Sequence, residues 1–261
     1  MSNNSCQENI ENMIENPEIV EQIKPIKKRT IVKQPPLNKY FSEDNTIIEI
    51  GVDEVGRGPM FGRVYTAAVI LPKDDSFNHS LMKDSKKFHS KKKIEETAEY
   101  IKQNCVAWHV SYEDEKTIDS INILQATQKS MHSSILTVKQ KYLDMLSNTQ
   151  SSSKFQLLID GNYFNPITFL NKQRGIIETM PHICVEGGDN KYTSIAAASI
   201  LAKVARDEYI EQMCNQYPEL SEKYGIDSNK GYGSKQHMDG IKQHGITIWH
   251  RRSFGICKEY V

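Results

Sequence analysis

The chain has 261 residues, a net charge of zero from 33 basic and 33 acidic side chains, and 38% hydrophobic residues, which suits one sizeable globular domain. No apolar run approaches the about 20 residues that span a bilayer, and the polar, acidic start lacks the features of a secretory signal; an intracellular, cytoplasmic protein without membrane contact is expected, the nucleus or another DNA-containing compartment remaining open. Balanced charge excludes the simplest kind of nucleic-acid binder, a strongly basic protein, and five scattered cysteines (Cys6, Cys105, Cys184, Cys214, Cys257) with no C-x-x-C pair indicate neither a disulfide framework nor a zinc site.

Residues 1 to 45 are rich in Asn, Glu, Lys and Pro, and their isolated isoleucines keep no sustained period. So little apolar surface does not offset the entropy of ordering, so a disordered N-terminal tail is expected ahead of a domain over 46–261. Lysine is concentrated in "KPIKKR" (24–29) and "DSKKFHSKKK" (84–93), and acids in "YEDE" (112–115), so charge is segregated along the chain. From Ile47 a β-branched run, a Gly-rich turn and "VYTAAVIL" read as two neighbouring strands. "SKKKIEETAEYIKQN" (90–104) has helical spacing with Ser90 as N-cap, and "CVAWHVSY" (105–112) reads as a strand. Apolar residues three and four apart over 120–146 predict a long amphipathic helix. "FQLLIDGN" (155–162) reads as a buried strand closed by Asp-Gly, and the Ala- and Ser-rich stretch 193–213 as a helix able to pack closely on a sheet. Strands alternating with helices predict a three-layer α/β core with a mixed central sheet flanked by helices, followed by a small C-terminal part of glycine turns, basic and aromatic residues.

Chemistry-bearing residues interrupt this pattern at the strand ends. Asp53 and Glu54 fall where an apolar strand should be finishing, next to Gly56, Arg57 and Gly58. Consecutive strand side chains point to opposite faces, so the two acids share a target only if the strand bends or ends there. Asp160 follows a second apolar strand and Asp207 lies on the Ala-rich helix. Acids at the ends of neighbouring buried strands converge in open α/β sheets, and carboxylates brought together repel unless hard cations neutralise them, which favours Mg²⁺ or Mn²⁺. The plain alternatives are a turn at Asp-Gly and a solvated helix charge at Asp207. Likewise the glycines read equally as a structural turn, and Tyr232 as a half-buried surface tyrosine.

"GVDEVGRGPMFGRVYTAAVILP", "DSKK", "INILQAT", "LLIDGN", "GGDNKYTSIAAASILAKVARD", "KGYGSKQH" and "HRRSF" stand in the order seen in type 2 ribonucleases H, and over residues 47 to 255 the chain resembles the ribonuclease HII family, in its single-chain bacterial form. The resemblance implies a ribonuclease H-like fold and four acidic metal ligands, Asp53, Glu54, Asp160 and Asp207. It also implies two-metal hydrolysis of the phosphodiester 5′ to a ribonucleotide embedded in duplex DNA or in an RNA–DNA hybrid, by a monomer using two Mg²⁺ or Mn²⁺ ions. The family reads the ribose with the backbone of Gly56, Arg57 and Gly58, assisted by Tyr232, and Lys86 is the implied phosphate contact. Lys203 suggests either a second such contact or an ordinary ion pair with Asp207. Met60, Phe61 and Arg63 depart from the family pattern, which bears on substrate preference. His237, His244 and His250 fit no zinc signature and are read as surface or capping residues.

"QPPLNKYF" (34–41) is similar to the PCNA-interacting peptide through Gln34, Leu37, Tyr40 and Phe41, which implies a sliding clamp as partner; one helical turn would present the three apolar side chains to a groove. The alternative is that Tyr40 and Phe41 anchor the tail to the domain. "KPIKKR" would serve the clamp's acidic edge or act as a nuclear address.

Overall fold

The computed structural model describes residues 35–146, 153–171 and 174–261. "KPIKKR" and Gln34 lie outside them. Strand β1 (Ile47–Val55) pairs antiparallel with β2 (Val64–Ile70), which pairs antiparallel with β3 (Ala107–Glu113). On its other side β1 runs parallel to β4 (Lys154–Asp160), and β4 parallel to β7 (His182–Val185), giving a five-stranded mixed sheet in the order β3-β2-β1-β4-β7. Strands β5 (Thr168–Asn171) and β6 (Ile176–Thr179) form a separate hairpin. The expected α/β class holds.

Alternate residues of the sheet feed two different cores. Ala67 and Val69 on one face meet helix α1 (Lys91–Asn104) and helix α3 (Thr193–Gln216), whereas Val52, Ala68 and Ile70 on the other meet Met131, Ile135 and Val138 of helix α2 (Glu115–Met145). Ser90 caps α1, accepting from the Lys93 N–H. Helix α2 follows the predicted 120–146 up to Met145 but starts at residue 115 and is interrupted at Asn122 (φ 64°, ψ 163°), whose side chain accepts from the Gln125 N–H and so caps the second segment. The Ala run of α3 is buried throughout and lies so close to β1 that a Cβ at Gly51 would stand 2.2 Å from the Ser194 carbonyl carbon. Three short helices, α4 (Glu219–Tyr224), α5 (Ile226–Asn229) and α6 (Lys235–His244), form the C-terminal part, packing Leu220, Tyr224, Ile226 and Ile241 against Phe61, Tyr65 and Tyr209. Among the described residues no helix is long and apolar enough to cross a membrane.

The boundary expected at residue 46 moves. The compact unit begins at Pro36, because residues 36–45 find partners on the domain that composition does not reveal. The Asn38 N–H donates to the Lys191 carbonyl and the Asn38 carbonyl accepts from Thr193 N–H, so the strap caps the start of α3. Buried Glu49 accepts from the Phe41 N–H (3.0 Å) and Ser42 N–H (2.7 Å) and pairs with Lys73 at 3.1 Å.

Candidate active site

The parallel register ends with Val52 beside Ile159, so Asp53 and Asp160 follow as neighbours at the C-terminal ends of β1 and β4. Ligand oxygens of Asp53, Glu54 and Asp160 all lie within 4.8 Å of one another. As expected for an adjacent pair that shares a target, the strand ends there: β1 stops at Val55, one residue past Glu54, and the chain turns at Gly56 (φ +88°). The neighbouring strand β4 stops at Asp160, level with this end of β1. Asp207 is not in this cluster; its carboxylate is held by Lys203 at 2.8 Å, the ordinary i,i+4 pair that the sequence allowed.

Each acid is oriented by a neighbour. The Glu54 N–H donates to Asp53 Oδ1 at 2.7 Å, and the Gly188 N–H donates to Asp160 Oδ1 at 2.6 Å. The Ser199 hydroxyl of α3, near enough to Asp53 to lower its proton affinity, is linked to Ser85 of the "DSKK" segment at 3.0 Å. Burial raises the proton affinity of Asp53 well above the usual carboxylate range, and Glu54 and Asp160 raise it further. Glu54 is raised chiefly by burial, against the pull of Arg57, 3.5 Å away. This set of hard, clustered, under-compensated oxygens fits Mg²⁺ or Mn²⁺ and not a softer metal.

The Gly56–Gly58 loop sits beside the acids. Gly56 has φ +88°, and a Cβ there would meet Arg206 Nε at 2.4 Å, so both conformation and space demand glycine. The loop's carbonyls are turned inward to buried Arg251, whose Nη2 donates to Gly56 O (2.6 Å) and Nη1 to Arg57 O (3.0 Å). Half-exposed Tyr232 lies against the outer side, its Cε1 3.4 Å from where a Gly58 Cβ would stand. Lys86 is exposed on the rim, and its charge reaches Asp189, a further buried acid next to Asp160. Asp189, Ser199, Arg206 and Arg251 were not singled out by the sequence, since their roles depend on contacts between segments far apart in the chain.

Other expectations change. Met60 and Phe61 are core residues, whereas the half-buried Arg63 guanidinium lies over the Tyr112 and Tyr209 rings at 4.1 and 4.6 Å. His237 and His250 are fully buried and bonded to each other, not surface groups, whereas His244 is exposed in the last turn of α6. In the segment likened to a clamp peptide, Leu37 packs on the α1–α3 core, Tyr40 stands edge-on to His79 with ring centroids 5.6 Å apart, and Phe41 tilts against Tyr192. The anchoring alternative describes these contacts. Cys105, Cys184, Cys214 and Cys257 are unpaired.

A mixed sheet with carboxylates at the adjoining ends of parallel β1 and β4, between layers of helices, defines a nuclease of the ribonuclease H class. The family model for ribonuclease HII matches residues 50–257. Ribonuclease HII of Bacteroides thetaiotaomicron is 40% identical over 219 residues, covering 83% of this chain and 93% of its own. Among solved structures, ribonuclease H2 from Pyrococcus horikoshii superposes with a TM-score of 0.55 at 22% identity (81% and 96% covered). Ribonuclease HII of Archaeoglobus fulgidus, solved with PCNA, gives 0.54 at 23% (80% and 95% covered). The chain belongs to the ribonuclease HII family and is a type 2 ribonuclease H, an endonuclease.

Proposed function

We propose that the enzyme hydrolyses the phosphodiester 5′ to a ribonucleotide embedded in duplex DNA or in an RNA–DNA hybrid, leaving a 3′-hydroxyl and a 5′-phosphate, and so serves ribonucleotide excision and RNA primer removal. The observation that carries this is the convergence of Asp53, Glu54 and Asp160 within 4.8 Å, where Arg57 is the cation paired with Glu54. Two divalent ions, when bound, would neutralise these carboxylates and stabilise the charge that develops on the attacking and leaving oxygens. Asp53, Glu54 and Asp160 would hold them. Asp207 would join them only on release from Lys203, whether a divalent ion displaces the ammonium or a substrate phosphate draws it away.

The remaining work falls to the chain's own groups. With the carbonyls of residues 56 and 57 bound to Arg251, the N–H side of the loop faces outward, suited to a 2′-hydroxyl, which donates and accepts and is what distinguishes RNA from DNA. Tyr232 offers a flat apolar face to the next, deoxy, sugar, which favours an RNA-to-DNA junction. Lys86 would meet a backbone phosphate. Mg²⁺- or Mn²⁺-dependent cleavage of a duplex carrying one ribonucleotide, set against an all-RNA strand hybrid, tests the reading. Activity on both, greater at the single ribonucleotide and reduced by orders of magnitude in Asp160→Asn, is expected. Tight binding without cleavage would instead fit an inactive nucleic-acid-binding protein of the same fold. Clamp binding through residues 34–41 is proposed only in competition with the strap's packing on the domain.

A further inference from the structure

Two adjacent residues, His250 and Arg251, reach into the two halves of the site from one backbone step. Arg251 donates to three carbonyls, those of Gly56 (2.6 Å), Arg57 (3.0 Å) and Gly62 (2.8 Å). His250 points to the other half. Its Nδ1 accepts from the Thr247 N–H at 2.9 Å, its Nε2 lies 3.0 Å from His237 Nε2, and His237 Nδ1 lies 2.9 Å from the Tyr232 carbonyl. The proton positions are forced from both ends. A backbone N–H only donates, so His250 Nδ1 bears the lone pair and Nε2 the proton; a carbonyl only accepts, so His237 Nδ1 bears the proton and Nε2 the lone pair. Both rings are neutral, and His250 Nε2–H donates to His237, which donates to Tyr232. Backbone bonds complete the stitch: the Arg251 N–H donates to the Met60 carbonyl and the Met60 N–H to the Gly231 carbonyl, at 2.8 and 2.9 Å.

We infer that His250 and Arg251 are positioning residues for sugar selection: by fixing the Gly56–Gly58 loop and the Tyr232 loop to one dipeptide, they set the spacing between the group that reads the ribose and the group that reads the following deoxyribose. The inference rests on the reading of those two loops given above. An all-RNA strand presents a ribose at every register, so a loosened site still finds one; a single embedded ribonucleotide is cut only when both loops hold one sugar pair at once. Loss of positioning therefore lowers the ratio of kcat/KM on the single-ribonucleotide duplex to that on the hybrid, beyond any loss common to both.

The test measures this ratio in His250→Asn, His250→Gln, Arg251→Lys and Tyr232→Ala, and in Tyr232→Ala combined with His250→Asn, with melting curves to confirm folding. Losing one buried hydrogen bond in the relay should lower the ratio about tenfold in His250→Asn. Gln carries an amide N–H to the Nε2 position and Asn does not, so His250→Gln should restore most of it. In the Tyr232→Ala background His250→Asn should have no further effect on the ratio, because it acts through Tyr232; a merely structural lesion would add. If His250→Asn does not fold, Arg251→Lys decides, since it keeps the charge and loses the three-carbonyl fork. An unchanged ratio in folded His250→Asn or Arg251→Lys, or a loss that adds fully to that of Tyr232→Ala, overturns the inference while the sugar reading stands. An unchanged ratio in Tyr232→Ala overturns the sugar reading, and the inference with it.

Discussion

Asp53 holds its proton more tightly in the fold than in the unfolded chain, because it is buried and faces two other carboxylates. Across that raised window the folded state binds more protons than the unfolded one, so the metal-free protein loses stability as pH rises above the unfolded value of about 3.9. Asp53→Asn keeps the acceptor for the Glu54 N–H and removes the charge. In EDTA its melting midpoint should rise by roughly 2–4 °C for each kcal/mol of repulsion relieved. Added Mg²⁺ or Mn²⁺ should stabilise the wild type and not the variant, while cleavage falls by orders of magnitude. His250 works with the opposite sign. Burial, and His237 beside it, pull its pKa down to about 3, so its contribution is complete above the unfolded value of about 6.5 and drains away as pH falls from there. Thermal melts between about pH 7 and 4.5 should show this slope, shallower in His250→Gln, with Thr247, Phe61, Tyr224 and His237 packed around the ring. At this scale the sequence displayed its acids openly, since Asp53 and Asp160 break apolar runs. It concealed Arg251, whose partners lie nearly two hundred positions earlier.

Glu49 ties the strap to the domain through two backbone N–H groups and Lys73. Hydrogen bonds to a charged group contribute about 1.5–3 kcal/mol each, so Glu49→Ala should destabilise the domain by about 2–3 kcal/mol and open residues 36–42 to limited proteolysis. If the strap competes with clamp binding, the same variant should bind a sliding clamp more tightly than the wild type; equal affinity would remove the competition. Among the elements, α1 and α2 were legible because one face of each repeats at helical spacing, and α3 because its small Ala and Ser residues form a long run able to pack closely on a sheet. Strands β5, β6 and β7 were not, being four residues long with little alternation, and the strap was not, because its order comes from partners in α3 and β1 and not from its own composition.

At the scale of the whole molecule the charges cancel, so binding to nucleic acid has to come from placement and not from excess. Lys86, exposed on the rim near the acids, is the group the reading assigns to a phosphate. Lys86→Ala should raise KM several-fold with less change in kcat, and reduce the salt dependence of binding by about one phosphate contact, measured as the slope of affinity against salt. A slope equal to that of the wild type would remove Lys86 from the interface. The α/β class was legible from the alternation of elements; the sheet order was not, because parallel pairing of β1 with β4 joins segments more than a hundred residues apart.

That long-range pairing, together with the Arg251 fork, also dictates a timetable. A growing polypeptide acquires its acids by residue 207, yet the hairpin-like loop at 56–58 has no clamp until residue 251 has been made and folded back onto it. If that loop reads the ribose as proposed, sugar selection would be the last property of the enzyme to mature.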